Sequence, residues 1–254
     1  MTKVREIYDA LCRIAPPALQ LSFDNAGFLV GHADAEVKTV LLSLDITGEV
    51  IDEAGEIGAQ LIVSHHPVIF HPLRSVTSEG EGALVLRLIE SRIAAICMHT
   101  NLDIAEGGVN DMLLEKLGAV CEGALDEDGC GRVGQLKESM PLPDFLSFCK
   151  DRLHVNALRY VDAGKAVKRL AVMGGAGGEA MHCALARGCD TYVTADVKYH
   201  QFLNAAELGL NLIDADHFCT ENPVMPILAE KLRGAFPEVE FRLSTRHRQI
   251  ISVY

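Results

Sequence analysis

The sequence lacks several features that would restrict its class. Its 254 residues contain no uninterrupted apolar run long enough for a membrane span and no low-complexity tract. Basic residues are few: 23 Lys and Arg stand against 35 Asp and Glu, and the net charge of -12 argues against a nucleic-acid-binding surface. Residues 1–7 carry charges where a signal peptide would need an apolar stretch, which predicts a cytoplasmic protein.

Paired cysteines are also missing. The eight cysteines form no C-x-x-C motif, and most lie within apolar runs, so we interpret them as reduced, buried thiols. Cys219 is the one cysteine that needs a second interpretation, because it lies between His217 and Glu221. It is either a small side chain packed beside a site or a group that approaches a metal.

Apolar runs alternate with helical patterns along the chain. Val4, Ile7 and Leu11 have helical spacing before Pro16, which predicts an amphipathic first helix. Later, helical patterns separate short apolar runs that have the length of buried strands. This alternation predicts an α/β fold.

The second half of the chain repeats the pattern of the first. Val37-Lys38 and Val167-Lys168 each open a strand, and 27 positions after each valine another strand ends, at Ser64 and at Thr194. We therefore predict two related α/β halves with mixed sheets, residues 1–125 and 126–254, with the connection near residues 126–131.

Histidines and carboxylates follow the predicted strands. His99-Thr-Asn-Leu-Asp103 and His217-Phe-Cys-Thr-Glu221 each place a carboxylate four residues after a histidine, and Ser64-His-His-Pro67 places two histidines side by side. Taken alone, the segment 99–103 could form a local turn, and Glu221 could cap a helix. Imidazoles and carboxylates bind divalent metals of intermediate softness, and buried adjacent imidazoles are costly unless they are satisfied. Together the segments predict a metal site at the carboxyl ends of the strands.

The adjacent histidines favour two ions over one. Successive side chains of an extended strand point to opposite faces, so His65 and His66 cannot easily bind one ion while the backbone stays extended. Pro67 also biases His66 toward an extended conformation. The simplest arrangement gives each imidazole its own ion, with a bidentate carboxylate bridging the pair.

Six motifs along the chain occur together in one known family. They are SFDNAGFLVG at 22–31, SHHP at 64–67, FHPL at 70–73, HTNLD at 99–103, GGVND at 107–111 and DADHFCTE at 214–221. In these motifs, and over nearly its whole length, the chain resembles the GTP cyclohydrolase I type 2-like (Nif-three-like) dinuclear metal-centre proteins. The resemblance implies a homohexameric ring and two divalent ions per chain, bound in a cleft between the two halves.

The resemblance also implies roles for individual residues. Its metal ligands correspond to His65, His66, Asp103, His217 and Glu221, with Glu221 as the bridge. His99 lines the same cleft as a candidate catalytic residue. Several positions depart from the family pattern: Phe23 replaces a usual tryptophan, and Phe218-Cys219 replaces a common Tyr-Ala. Asp216 replaces a usual glycine, which places an extra carboxylate beside the site. Zinc, iron, manganese and nickel all suit such mixed ligands.

The activity that the resemblance implies is hydrolysis, namely opening of the guanine imidazole ring of GTP with loss of formate. Two ions can activate a bridging water and polarise the bond that it attacks. A non-catalytic metal-binding hexameric scaffold or regulator is the alternative, and a generic dinuclear phosphoesterase is a third. Polar neighbours such as His99, Lys198 and His200 are typical of a catalytic site and favour the hydrolase.

An anionic substrate such as a nucleotide has several candidate contacts. A glycine turn that includes Gly174 and Gly175 joins a strand to a helix, and such a turn can offer backbone N–H groups to a phosphate. Tight packing is the alternative explanation of these glycines. The other candidates for contacts with the substrate are Lys198, His200, His71 and Arg74.

Overall fold

The computed structural model describes all residues from Met1 to Tyr254, which form eleven β-strands in two sheets and ten α-helices. The strands are β1 (Gly27–Val30), β2 (Thr39–Ser43), β3 (Leu61–Ser64), β4 (Ala94–Cys97), β5 (Ala119–Ala124), β6 (Arg132–Met140), β7 (Arg159–Val161), β8 (Val167–Val172), β9 (Thr191–Thr194), β10 (Asn211–Asp214) and β11 (Glu240–Leu243).

The helices are short or of medium length. They are α1 (Val4–Ile14), α2 (Gly48–Glu56), α3 (Ala83–Glu90), α4 (Thr100–Ile104), α5 (Val109–Lys116), α6 (Leu142–Leu153), α7 (Met181–Ala186), α8 (Tyr199–Leu208), α9 (His217–Glu221) and α10 (Val224–Ala235). Single 3-10 turns occupy Pro17–Leu19, Gly80–Gly82 and Gly178–Ala180. No helix has both the length and the apolar character needed to cross a bilayer.

The chain divides into two compact units. Unit 1 comprises Met1–Glu106 and Met225–Arg248, and unit 2 comprises Gly107–Val224 and Gln249–Tyr254. This division differs from the predicted halves 1–125 and 126–254. The reason is strand pairing: β5 pairs with β6 and so joins the second sheet, whereas β11 pairs with β2 and so returns to the first.

Unit 1 contains a five-stranded mixed sheet in the order β1-β4-β3-β2-β11. The strands β4, β3, β2 and β11 are parallel, and β1 runs antiparallel to β4. Every residue of β3 and β4 is buried, as expected for central strands of a parallel sheet. The predicted first helix is confirmed as α1, whose buried face includes Val4, Ile7 and Leu11.

Unit 2 contains a six-stranded mixed sheet in the order β5-β6-β8-β9-β10-β7. The strands β8, β9 and β10 are parallel, and β6 and β7 run antiparallel to their neighbours β8 and β10. One face of this sheet packs into a core with Phe145, Cys149 and Leu153 of α6.

The two units share an order of elements. Each has three consecutive parallel strands, β2-β3-β4 or β8-β9-β10, and an antiparallel strand, β1 or β7, next to the third of them. A five-residue helix, α4 or α9, then follows the third strand. The predicted α/β class with mixed sheets is confirmed, and the shared order agrees with a relation between the halves.

Candidate metal centre

Three imidazoles of unit 1 converge at the carboxyl ends of two neighbouring strands. His65 and His66 follow β3, and His99 follows β4. The ring centroids lie 4.9 Å apart for His65 and His66, 5.1 Å for His65 and His99, and 5.5 Å for His66 and His99. One ring nitrogen from each histidine lies within 4.8 Å of the others. This spacing suits donor atoms that face a metal ion.

The backbone after β3 explains how adjacent histidines face the same cluster. The N–H groups of His65 and His66 both donate to the carbonyl oxygen of Leu44, at 3.1 and 2.9 Å. Two consecutive amides reach one acceptor only where the chain has left the extended conformation, in which they point to opposite sides. The chain turns at the strand end, so the alternation of strand side chains no longer separates the two imidazoles.

The hydrogen bonds at Nδ1 determine which nitrogen of each ring carries the lone pair. His65 Nδ1 lies 2.8 Å from the carbonyl oxygen of Met98, which can only accept, so this nitrogen is the donor. His66 Nδ1 lies 2.7 Å from Asp45 Oδ1, and His99 Nδ1 lies 2.7 Å from Asp24 Oδ1. In each neutral ring Nε2 then carries the lone pair, and such Nδ1 contacts are typical of histidines that bind metals.

The carboxylates of Asp24 and Asp45 are ionised acceptors. Burial by itself raises the pKa of Asp24, but hydrogen bonds from His99 and Thr100 outweigh it and hold the pKa at about 2. Burial likewise opposes ionisation of Asp45, and hydrogen bonds from His247 and His66 again outweigh it and hold the pKa below its usual range. Both aspartates therefore accept the Nδ1 protons at neutral pH.

Asp103 adds a carboxylate to the histidine cluster of unit 1. The first turn of α4 follows His99, and the Asp103 N–H donates to the His99 carbonyl oxygen at 3.0 Å. This turn brings Asp103 Oδ1 to 3.6 Å from His65 Nε2. The predicted ligands His65, His66 and Asp103 and the candidate catalytic residue His99 thus lie together within unit 1.

A second group of donors lies in unit 2. His217 and Glu221 occupy one face of α9, and Nε2 of His217 lies 3.1 Å from Oε2 of Glu221. His217 Nδ1 lies 2.7 Å from Oδ2 of Asp196 in the loop after β9. His217 therefore repeats the arrangement of His66 and His99, in which a carboxylate holds Nδ1.

The fold and these donor groups allow comparison with known proteins. The sequence model of the Duf34/NIF3 (NGG1p interacting factor 3) family matches residues 2–250. The chain belongs to this family. A Clostridium perfringens relative, named a GTP cyclohydrolase 1 type 2 homolog, is 36% identical over 251 residues, which span 95% of this chain and 96% of the relative. The family resemblance seen in the motifs is confirmed.

Solved structures support the same assignment. The crystal structure of SA1388, a hypothetical protein of Staphylococcus aureus, is 29% identical with a TM-score of 0.93, and the match covers 99% of both chains. Reduced HcgD from Methanocaldococcus jannaschii is 30% identical with a TM-score of 0.83, over 95% of this chain and 97% of that one. The two-sheet α/β fold is therefore one that Duf34/NIF3 relatives share.

The glycine turn of this Duf34/NIF3 protein differs from a phosphate-binding loop. The N–H groups of Gly174 and Gly175 donate to Oδ1 of Asn110 at 2.9 Å and to Oγ1 of Thr220 at 3.1 Å. The N–H of Gly177 donates to Oγ1 of Thr194 at 3.0 Å. These amides already have partners within the chain, so the turn gives no support to the predicted phosphate contact at Gly174 and Gly175.

Close packing explains Gly175 instead. Its φ is +64°, and a Cβ at this position would collide with Oε1 of Glu221 and lie 3.1 Å from Nε2 of His217. Glycine therefore leaves the space in which the Glu221 carboxylate lies beside His217. The alternative explanation that the sequence left open, tight packing, is the one that fits this geometry.

Asp216 and Cys219 of the DADHFCTE motif, whose roles the sequence left open, have local structural roles. Asp216, with φ +71°, is the N-cap of α9 and accepts a hydrogen bond from the Cys219 N–H at 3.0 Å. The positive φ explains why glycine is usual at this position. Burial raises the pKa of the Cys219 thiol to about 12, and Asp216 adds to the shift. Cys219 is a protonated, buried thiol, which fits the packing interpretation.

The other candidate substrate contacts are solvent-exposed. Lys198 and His200 lie at the beginning of α8 in unit 2. His71 and Arg74 lie in unit 1, where they line a cavity of about 740 Å³ formed by residues 71–75 and 79–82. Their accessibility is compatible with ligand contact, and their role stays a prediction.

Sequence reasoning missed the carboxylates that hold the imidazoles. Asp45 follows β2 and Asp196 follows β9, so each lies at the carboxyl end of a parallel strand, the same signal that identified the histidines. Asp24 lies within the first family motif, yet only the fold brings it to His99. His247 belongs to none of the motifs, yet its Nε2 lies 2.8 Å from Asp45 Oδ2.

Proposed function

We propose that this Duf34/NIF3 protein is a hydrolase that depends on two divalent ions per chain. The observation that carries the proposal concerns four histidines, each of which has a hydrogen-bond acceptor at Nδ1. Nε2 is then the ring nitrogen whose lone pair can bind a metal ion. The histidines are His65, His66, His99 and His217. The proposed ligands are His65, His66, Asp103, His217 and Glu221, with Glu221 as the bridge.

The residues fit divalent ions in their chemistry and in the space around them. Neutral imidazoles and carboxylates suit zinc, iron, manganese and nickel. In unit 2, the position of Gly175 leaves room for the carboxylate of Glu221 beside His217, which any Cβ would fill.

The proposed reaction is attack of water on a carbonyl, imine or phosphoryl group. Two bound divalent ions would lower the pKa of a water molecule and polarise the group that it attacks. His99 would take up the proton at Nε2, because its Nδ1–H is already held by Asp24. The ionised Asp24 carboxylate would stabilise the resulting imidazolium, as in other histidine–carboxylate pairs.

A purine nucleotide or a related anionic compound is the proposed substrate class. The names of the curated relatives as GTP cyclohydrolase 1 type 2 homologs support it, as does the resemblance in six motifs. Exposed Lys198 and His200 are proposed to contact its phosphates. We also propose, from the resemblance alone, that the chains assemble as a homohexameric ring.

Metal analysis and a substrate panel test the proposal together. Elemental analysis of the purified protein should find about two divalent ions per chain, and His65→Ala and Glu221→Ala should each lower this content. His32→Ala, which changes an exposed histidine, is the matched control. Full metal occupancy in both ligand variants would contradict the ligand assignment.

The activity itself needs a separate measurement. Metal-loaded protein is incubated with GTP, other nucleotides and phosphoesters, and products are separated by chromatography. The hydrolase proposal expects turnover that disappears in the metal-free protein and falls at least a hundredfold in Glu221→Ala and in His99→Ala. Bound metal without any turnover that depends on Glu221 would favour the scaffold or regulator.

A further inference from the structure

His247 contacts the carboxylate that holds one of the proposed metal ligands. Asp45 accepts from Nδ1 of His66 on one oxygen, at 2.7 Å, and lies 2.8 Å from Nε2 of His247 through its other oxygen. The side chain of His247 is only 10% exposed. Asp45 is therefore held between two imidazoles, of which only His66 belongs to the proposed ligands.

The second imidazole has a geometric consequence for the first. The terminal torsion of an aspartate is broad, so one hydrogen bond leaves the plane of the carboxylate poorly fixed. A second partner on the opposite oxygen restricts this rotation. His247 therefore helps to fix the direction of the hydrogen bond between Asp45 Oδ1 and His66 Nδ1. The orientation of the His66 ring, and so of its Nε2, follows from that bond.

The segment that carries His247 is itself anchored in unit 1. Residues 244–247, which we call the C-terminal strap, follow β11. Glu53 of α2 accepts hydrogen bonds from the Thr245 N–H at 2.8 Å, from the Thr245 hydroxyl at 2.7 Å and from the Ser244 hydroxyl. The His247 N–H donates to Oγ of Ser244 at 3.1 Å.

The bonds to Glu53 hold the beginning of the strap against α2, and the bond from His247 to Ser244 closes the strap on itself. Arg246 adds an ion pair with Glu56 of the same helix. His247 thus reaches Asp45 from a fixed backbone rather than from a loose tail. A fixed support is what a residue needs if it is to orient a ligand through an intermediate carboxylate.

We propose that His247 is a positioning residue of the metal centre, which acts through Asp45 to orient His66. The inference rests on the proposed function, because it requires that His66 binds an ion. It extends that function to a residue about 180 positions away in the sequence. Neither the family motifs nor the strand-end pattern of the other histidines includes His247.

Metal affinity measured on three variants tests the contact. The variants are His247→Ala, His247→Gln, which retains an N–H donor of similar reach, and His32→Ala as the exposed control. Cobalt(II) and zinc binding are measured by competition with a chromophoric chelator, and the cobalt d–d absorption reports the ligand geometry. We expect His247→Ala to weaken one ion about tenfold, the lower end of the loss for a partner of a ligand.

The same measurements separate positioning from a merely structural role. His247→Gln should recover most of the affinity and the cobalt spectrum, and His32→Ala should match the wild type. In a cycle with Asp45→Asn, the losses should be non-additive, because both residues act on His66 by one route. Unfolding of the metal-free proteins is followed in parallel as the stability control.

Two results would overturn the proposal. One is wild-type affinity and spectrum in His247→Ala, whether or not its metal-free stability falls, and the other is additive losses in the cycle with Asp45→Asn. Each of these can occur while the wild type binds two ions, so the proposed function would survive. A wild-type protein that binds no ion would refute the proposed function and this inference with it.

Discussion

Gly175→Ala tests whether the glycine turn provides the space that the Glu221 carboxylate occupies. A Cβ on Gly175 would collide with Oε1 of Glu221 and come within 3.1 Å of its Cδ atom and of Nε2 of His217. Distances of 3.0–3.4 Å are already tighter than nine in ten real Cβ contacts. The carboxylate must therefore rotate away, or the turn must move together with its bond to Thr220.

Backbone strain adds a second cost, which a matched control isolates. Gly175 has φ +64°, a left-handed conformation that costs a residue with a Cβ about 1–2 kcal/mol. Gly188 in the same unit has φ +70°, and no atom lies within 4 Å of its Cβ position. Gly188→Ala thus carries the strain without the collision.

Both variants therefore carry similar backbone strain, and the main difference between them should be in metal binding. Gly188→Ala should lower the Tm of the metal-free protein by roughly 2–8 °C, since 1 kcal/mol corresponds to about 2–4 °C at this chain length, and Gly175→Ala should lower it by at least as much. Gly175→Ala should in addition weaken metal binding at least tenfold, while Gly188→Ala retains both ions. Calorimetry and chelator competition measure the two effects. Equal metal affinity in the two variants would refute the reasoning.

Two further predictions concern carboxylates with lowered pKa values. Asp24→Asn should destabilise the metal-free protein by about 2 kcal/mol at pH 7, because a charged acceptor for His99 and Thr100 is lost. Since folding lowers the pKa of Asp24 to about 2, the wild-type advantage should be complete above pH 4 and should shrink toward pH 2. Urea unfolding across this range measures it, and a constant difference would exclude the charge as the cause. Glu53→Gln should likewise lose stability at pH 7, because the pKa of Glu53 is lowered by hydrogen bonds from the strap that outweigh burial. This difference in stability from the wild type should fade below about pH 4. At pH 7 the same variant should also lose metal affinity, because the displaced strap no longer holds His247.

Much of the site could be predicted because its signals are local. Apolar runs that end in His65-His66, in His99 and in His217 mark strand ends, and parallel strands bring their carboxyl ends to one edge. The carboxylates Asp103 and Glu221 follow their histidines by four residues, which short helices place on the same face. Such spacing needs no knowledge of distant segments.

The glycine turn shows the limit of local reasoning. A strand, a glycine turn and a helix are also the arrangement of many phosphate sites, and the pattern says nothing of where the amides point. Here the N–H of Gly175 donates to Thr220, which lies in another element of unit 2. Such partners of the amides, which lie elsewhere in the chain, distinguish a turn that binds phosphate from one that supports a carboxylate.

The sequence by itself determined the fold class and the side chains that can bind a metal, because periodicity and short spacings are properties of neighbouring residues. Only the tertiary structure decided that β11 returns to the first sheet, that Asp24 and Asp45 hold His99 and His66, and that His247 holds Asp45. These contacts join segments far apart in the chain. They form when strands pair and side chains pack, and no local pattern specifies them.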